Sequence, residues 1–398
     1  MTVSEGVVVV GASMGGLRLA ESLRRFGYTG PVRIFGNEGH PPYNRPPLSK
    51  DLLSAAEIDF AEVAFPQRSA TADVEWNLSA GAVAADLSNQ HITISGGERV
   101  FFDHLVIATG LRSKRLGFES FPSDRHALRS FEDAKALRSK LGVGSKIVIV
   151  GSGFIACEVA ATATKLGCEV HIVSPSKSPM DRALGEKLSA LVKFRLEAQG
   201  ITFHMQATVR ELVGSNRLEA VALSDGSTIR CDSLVEAIGS EANCDWLAGN
   251  DLDISDGLLC DGSLRAVKAS GGSWPNVFGV GDVARFPNPI FDSTPRRIEH
   301  WNIPTESAKF VGQQIAASYN STEATAEVFR PLPSFWSDQF DMHIFGLGMS
   351  YLADASKLVH GDSSGDCVFE FTREGVLVGV IGIGHRSVVQ NYRAVLER

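Results

Sequence analysis

Val7 to Val10 is an unbroken apolar run between Gly6 and Gly11, the pattern of a strand buried on both faces. Leu17 to Phe26 follows with Leu19, Ala20, Leu23 and Phe26 on one helical face, and Gly27 is placed to end that helix. A second strand is predicted at Val32 to Phe35. The same order returns later: a strand at Ile147 to Val150, a helix at Glu158 to Leu166 closed by Gly167, and a strand at Val170 to Val173. Strand, helix and strand in this order predict parallel sheets with helical crossovers. Phe102 to Ile107, ending in Ala108-Thr109-Gly110, and Leu234 to Ile238, ending at Gly239, read as crossings between domains. Val277 to Val283 is a further buried strand that delivers the acid Asp282 at a turn. From about Phe329 the chain alternates short strands with turns, as at Val368 to Thr372 and Leu377 to Ile383, and reads as a small α+β domain.

The first strand of each repeat ends in a glycine-rich turn. Gly11-Ala12-Ser13-Met14-Gly15-Gly16 and Gly151-Ser152-Gly153-Phe154-Ile155-Ala156 begin 140 residues apart, each between a strand and a helix. Glycines there permit a tight turn and close backbone approach, with a helix N-terminus facing a pyrophosphate. Two such turns predict two bound dinucleotides. Glu38, 22 residues beyond Gly16, stands where a carboxylate accepts both hydroxyls of an adenosine ribose. Ser13 replaces the middle glycine with a small side chain. The second turn has no corresponding acid: Ser174 is followed by Pro175, Ser176 and Lys177, which relaxes selectivity toward a 2′-phosphate. Lys177 either reads that phosphate or is a solvated turn residue.

Composition narrows the function. With 398 residues, 44% hydrophobic and 21% charged, the chain is that of a multidomain globular protein. No apolar stretch is long enough to span a bilayer, and Met1 to Gly6 has no basic region, so a cytoplasmic protein with no membrane partner is expected. A net charge of −8 argues against nucleic acid as a partner. Cys157, Cys168, Cys231, Cys244, Cys260 and Cys367 show neither a CxxC pair nor a metal-ligand spacing, and no metal is expected. None precedes residue 157. A flavin domain that reduces disulfides or peroxides would need a redox cysteine in that region, so electrons must leave by another route.

Pro42-Tyr43-Asn44-Arg45-Pro46-Pro47-Leu48-Ser49-Lys50, Ala108-Thr109-Gly110, Leu128-Arg129-Ser130, Gly279 to Asp282, Arg297-Ile298-Glu299-His300-Trp301 and Phe335-Trp336-Ser337-Asp338-Gln339 together resemble the FAD-dependent NAD(P)H:ferredoxin reductases. These serve bacterial cytochrome P450 and ring-hydroxylating dioxygenase systems, within the pyridine nucleotide-disulfide oxidoreductase superfamily. The resemblance implies an α/β fold with two Rossmann-like, glutathione-reductase-like dinucleotide-binding domains plus a small α+β C-terminal domain. It places the FAD domain at 1–112 and 238–322, the NAD(P)H domain at 113–237 and the C-terminal domain at 323–398. The cofactors implied are FAD, with NADH or NADPH as electron donor. The partner implied is a [2Fe-2S] ferredoxin and, indirectly, a P450 or Rieske oxygenase.

Carried over residue by residue, the resemblance assigns FAD to Gly11, Ser13, Met14, Gly15, Gly16, Glu38, Arg45, Lys50, Val83, Ala108, Thr109, Gly110, Arg129, Gly281 and Asp282, with Glu299, His300, Trp301 and Trp336 beside the flavin ring. The nicotinamide nucleotide falls to Gly151, Gly153, Phe154, Ile155, Glu158, Ser174, Lys177, Ile238 and Gly239. Lys50, Glu158 and Trp336 are the implied catalytic residues, with Glu158 holding the Lys50 cation. Apart from the resemblance, Lys50 reads as a surface lysine closing a proline-rich loop and Trp336 as core filling. Two other activities share the fold: an NAD(P)H oxidase, quinone or monodehydroascorbate reductase, and a redox-sensing protein of the apoptosis-inducing-factor type. Arg296, Arg297 and Arg386 are candidates for a positive rim that receives an acidic ferredoxin.

Overall fold

Val7–Val10 lies inside a six-stranded sheet ordered Arg265–Val267, Ser273–Gly279, His104–Ile107, Val7–Val10, Val32–Phe35 and Glu75–Asn77. Its neighbours on both sides run parallel to it, and all four valines are buried. A strand so placed has no solvent face, which is why its sequence is continuously apolar rather than alternating. In the computed structural model the described residues are 5–321 and 328–398; the expected boundary at 322/323 and residues 1–4 lie outside them.

This sheet belongs to the first of two compact units, formed by Met1–Asn44, Ala64–Arg112 and Glu241–Pro333. The helix after the first glycine turn runs Met14–Arg25, and Ser22 Oγ donates to the carbonyl of Lys309 in the long helix Asn302–Tyr319. Strands Ala82–Asp86, His91–Ile94 and Arg99–Phe101 add a small antiparallel sheet. Two strands differ in extent from the apolar runs that announced them. The run from Phe102 begins its strand only at His104, because the Phe102 and Asp103 amides donate to the carbonyls of Gln90 and Gly6. The run Val277 to Val283 divides into Ser273–Gly279 and a single 3-10 turn, Gly281–Val283, at the positive φ of Gly281.

The second unit comprises Arg45–Val63, Ser113–Ser240 and Ser334–Arg398. Its parallel sheet is ordered Thr202–Met205, Glu169–Ser174, Lys146–Val150, Ser233–Glu236 and Arg125–His126. An antiparallel sheet of Val209–Gly214, Leu218–Leu223 and Thr228–Arg230 shares a core with it through Val148, Val173, Val221 and Leu234. The helix after the second glycine turn is Phe154–Lys165, starting one turn earlier than its apolar pattern because the turn itself supplies the first residues. Ser334–Arg398 forms an antiparallel sheet ordered Ser334–Gln339, Met342–Gly348, Val376–Ile383, Cys367–Arg373 and Ala355–Gly361, followed by two short helices. The fold is thus α/β, with two largely parallel sheets of the dinucleotide-binding kind, the first carrying one antiparallel edge strand, and a small α+β C-terminal part. No helix of the described residues is long and apolar enough to cross a membrane.

Candidate functional site

The two glycine turns repeat one geometry. Gly11 has φ +128°, and a Cβ there would run into the carbonyl of Ala108; Gly151 has φ +106°, and its Cβ would run into the carbonyl of Ala237. In both, the obstructing carbonyl lies just beyond the parallel strand beside the turn. Only glycine fits. The helices that follow begin at Ser13 and Gly153 with no side-chain cap and no acid in the first turn. Their leading amides and positive dipole ends therefore meet no internal anion, the arrangement that suits a pyrophosphate.

Within the first unit, Glu38 follows the strand Val32–Phe35, and the Tyr43 hydroxyl donates to its Oε2 at 2.5 Å. Tyr43 orients that carboxylate, a role the sequence pattern did not reveal. Met14, Gly15 and Gly16 form the first helical turn, and Ala108 is buried beside it. Thr109 is tied to Asn243 both ways: its hydroxyl donates to the Asn243 carbonyl at 2.6 Å, and Asn243 Nδ2 donates to the Thr109 carbonyl at 3.1 Å. Gly110 continues at φ +62°. The Gly281 amide donates to Ser307 Oγ, which fixes the turn carrying the half-buried Asp282. Val83 is 56% exposed on its strand. Trp301 Nε1 donates to Asn44 Oδ1 at 3.1 Å, while burial pushes the His300 imidazole down to about 4 and keeps it neutral at pH 7. Glu299 accepts from Arg297, which also holds Asp256, and Arg296 grips Asp292 with both terminal nitrogens. Those two arginines are committed within the chain.

Within the second unit, one face of the helix Phe154–Lys165 gathers chemistry at intervals of four residues. Phe154 meets the Phe335 ring at 5.1 Å. Glu158, one turn on, is 5% exposed and takes Lys50 Nζ at 2.6 Å and the Ser49 hydroxyl at 2.5 Å on Oε2, with the Ser337 hydroxyl at 2.6 Å on Oε1. Thr162, a further turn on, donates to the Ser49 carbonyl at 2.8 Å. Strand alternation explains the other partner: Phe335, Ser337 and Gln339 share the face toward this helix, while Trp336 lies on the opposite face, 38% exposed. Arg45 Nη1 donates to the Arg129 carbonyl at 2.5 Å, and the Arg129 amide donates to Asp133. Arg386 is exposed and stands over the Phe345 ring.

The loop after the strand Glu169–Ser174 differs from the sequence expectation in one respect. Ser174 is buried, and its Oγ accepts from Ser152 Oγ at 2.8 Å and from the Ser176 amide at 3.3 Å. Its hydroxyl thus braces the loop against the glycine turn, and Lys177 on that loop is exposed. Ile155 is 44% exposed at the start of the helix, and Gly239 turns at φ +101° after Ile238. Lys177→Ala is expected to lower kcat/KM for NADPH about tenfold, the worth of one charge-assisted contact, with little change for NADH. Equal losses for both nucleotides would assign Lys177 to solvent.

All six cysteines are unpaired and buried. Burial pushes the thiols of Cys231 and Cys367 up to about 12 and about 11, and raises those of Cys157 and Cys260 as well. A thiol held as such is neither a good nucleophile nor a redox relay. Alkylation of the native protein is expected to leave NAD(P)H-dependent dye reduction intact; loss that tracks one modified cysteine, with fold and flavin retained, would reveal a thiol on the electron path.

The sequence pattern of the pyridine nucleotide-disulphide oxidoreductases matches residues 5–308. The chain is 33% identical over 359 residues to a rubredoxin-NAD(+) reductase of Ectopseudomonas oleovorans, covering 89% of this chain and 88% of the relative. It is 30% identical over 377 residues to the ferredoxin--NAD(+) reductase component of a p-cumate 2,3-dioxygenase system of Pseudomonas putida, covering 94% and 88%. Among solved structures, the ferredoxin reductase for the CYP199A2 system from Rhodopseudomonas palustris superposes with a TM-score of 0.90 at 27% identity, over 99% of this chain and 95% of that one.

Proposed function

The chain belongs to the pyridine nucleotide-disulphide oxidoreductase family, and from that premise we propose that it is an FAD-dependent reductase taking electrons from NADH or NADPH. It passes them singly to a [2Fe-2S] ferredoxin that supplies a cytochrome P450 or ring-hydroxylating oxygenase in the cytoplasm. The observation that carries this reading is the Lys50–Glu158 pair, in which a buried carboxylate joins the helix of the second glycine turn to a half-buried cation.

FAD, when bound, supplies what no side chain can: acceptance of an electron pair from reduced nicotinamide and release of electrons one at a time. The chain supplies binding and electrostatics. Gly11, Ser13, Met14, Gly15 and Gly16 offer the pyrophosphate an uncapped helix start, and Glu38, braced by Tyr43, accepts ribose hydroxyls. Arg45, Lys50, Val83, Ala108, Thr109, Gly110, Gly281, Asp282, Glu299, His300 and Trp301, in the domain read at 1–112 and 238–322, complete the FAD assignment together with Arg129 from the stretch 113–237. Gly151, Gly153, Phe154, Ile155, Glu158 and Lys177, in the domain at 113–237, serve the nicotinamide nucleotide with Ile238 and Gly239 just beyond it, while Ser174 braces the loop that carries Lys177. With FAD bound, Lys50 would supply a positive charge to the ring, Glu158 would keep that cation in place, and Trp336 would lie beside the ring. The absence of any cysteine before residue 157 and the burial of the rest favour direct electron exit over a thiol relay.

The purified protein should be yellow, with one FAD per chain released intact on denaturation, and anaerobic NADH or NADPH should bleach it. A colourless protein that cannot be reconstituted with FAD would end this reading.

A further inference from the structure

Glu158 is the meeting point of three stretches remote in sequence. Ser49 and Lys50 come from the proline-rich loop, Glu158 from the glycine-turn helix, and Ser337 and Gln339 from the first strand of the C-terminal sheet. The direction of each hydrogen bond can be read. Gln339 Nε2 donates to Ser337 Oγ at 3.0 Å, so the Ser337 hydroxyl proton is left for Glu158 Oε1. Ser49, its carbonyl held by Thr162, points its hydroxyl at Oε2, the oxygen that also takes Lys50. Ser337 and Gln339 have no exposed surface, and Ser49 has 5%.

Donors on both oxygens fix the carboxylate in position and in rotation about its last bond. Without the Ser337 hydroxyl, Oε1 would be left unsatisfied in a buried site, and the carboxylate would turn to share its remaining donors. Lys50 would follow it. Its ammonium has only weak alternatives, the Pro46 carbonyl at 3.4 Å and Ser49 Oγ at 3.5 Å, and a four-carbon stem that reaches toward water. We propose that Ser337, backed by Gln339, and Ser49 are positioning residues that act through Glu158 to set where the Lys50 charge stands against the flavin. The proposal rests on the reading that Lys50 faces FAD.

The test uses flavin-loaded protein and three variants: Ser337→Ala, Ser337→Thr, which keeps the hydroxyl, and Ser49→Ala. Ser350→Ala serves as a structural control, since Ser350 Oγ donates to the Ala183 carbonyl at 2.6 Å in the same unit, away from this cluster. The readouts are the midpoint potential of bound flavin, the rate of its anaerobic reduction by NADH, and thermal stability. Ser337→Ala and Ser49→Ala should each lower the potential by a tenfold shift in the reduction equilibrium, about 30 mV for a two-electron couple. Reduction should slow roughly tenfold, and Ser337→Thr should restore most of both losses. Ser350→Ala should reduce stability without moving the potential. The proposal is overturned if both alanine variants keep the parent potential, or if Ser350→Ala shifts it equally. Should Ser337→Ala not fold, Ser49→Ala decides alone. An unmodified protein that binds no flavin, or is not reduced, would instead overturn the proposed function.

Discussion

Gly11→Val should yield a folded but largely colourless protein. The residue sits at φ +128° with the Ala108 carbonyl where a side chain would begin. A β-branched residue there carries about 1 to 3 kcal/mol of backbone strain before any clash is counted. The strand Val7–Val10 and the helix Met14–Arg25 are each secured by contacts that do not involve this turn, so the turn should deform while the unit survives. A deformed turn displaces the uncapped amides at the start of the helix, and flavin content should fall at least roughly tenfold, since losing one or two charge-assisted hydrogen bonds is enough for that. Flavin absorbance per chain with far-ultraviolet circular dichroism checks it. Full flavin occupancy in the variant would show that this turn does not hold the pyrophosphate.

Glu158→Ala should be the most damaging single change in the second unit. It would leave the Lys50 ammonium, whose side chain is 15% exposed, without its carboxylate and would orphan the Ser49 and Ser337 hydroxyls. Removing one partner of a buried ion pair costs about 3 to 5 kcal/mol. The double variant Glu158→Leu with Lys50→Met removes both charges and should recover much of that stability while remaining slow in flavin reduction. Chemical denaturation of the three proteins measures the first effect and stopped-flow reduction by NADH the second. A single variant as stable as the parent would mean that Lys50 reaches water freely.

How far the sequence announced this site depended on the range of each interaction. Glycine turns, helix ends and buried strands are local, and they stand within a few residues of where the apolar pattern put them. Glu38 could be singled out because it stands at a fixed distance from a motif; Tyr43, which donates to it, could not, because no spacing rule links a tyrosine to an acid five residues before it. Ser49 and Ser337 lie 109 and 179 residues from Glu158. Both stand inside the two most distinctive segments of the chain, beside Lys50 and Trp336, yet only the packing of a strand and a loop onto one helix face reveals why serine occupies each. Ser174 shows the converse. Its place at the end of a strand was legible, but its turn inward to Ser152 depends on a hydroxyl partner 22 residues away. The arginines divide in the same manner: Arg296 and Arg297 found acids nearby, whereas Arg386 remains exposed.

Electrons taken from a nicotinamide nucleotide should leave this protein one at a time for an iron-sulfur protein. The most direct measurement is steady-state turnover of the flavin-loaded protein with NADH and with NADPH, against a panel of [2Fe-2S] ferredoxins and, in parallel, oxygen and a small quinone. At least one ferredoxin should be reduced far faster than oxygen or quinone with the same donor. Oxygen or quinone turning over as fast as every ferredoxin, or slow flavin reduction ending in a stable charge-transfer complex, would contradict it.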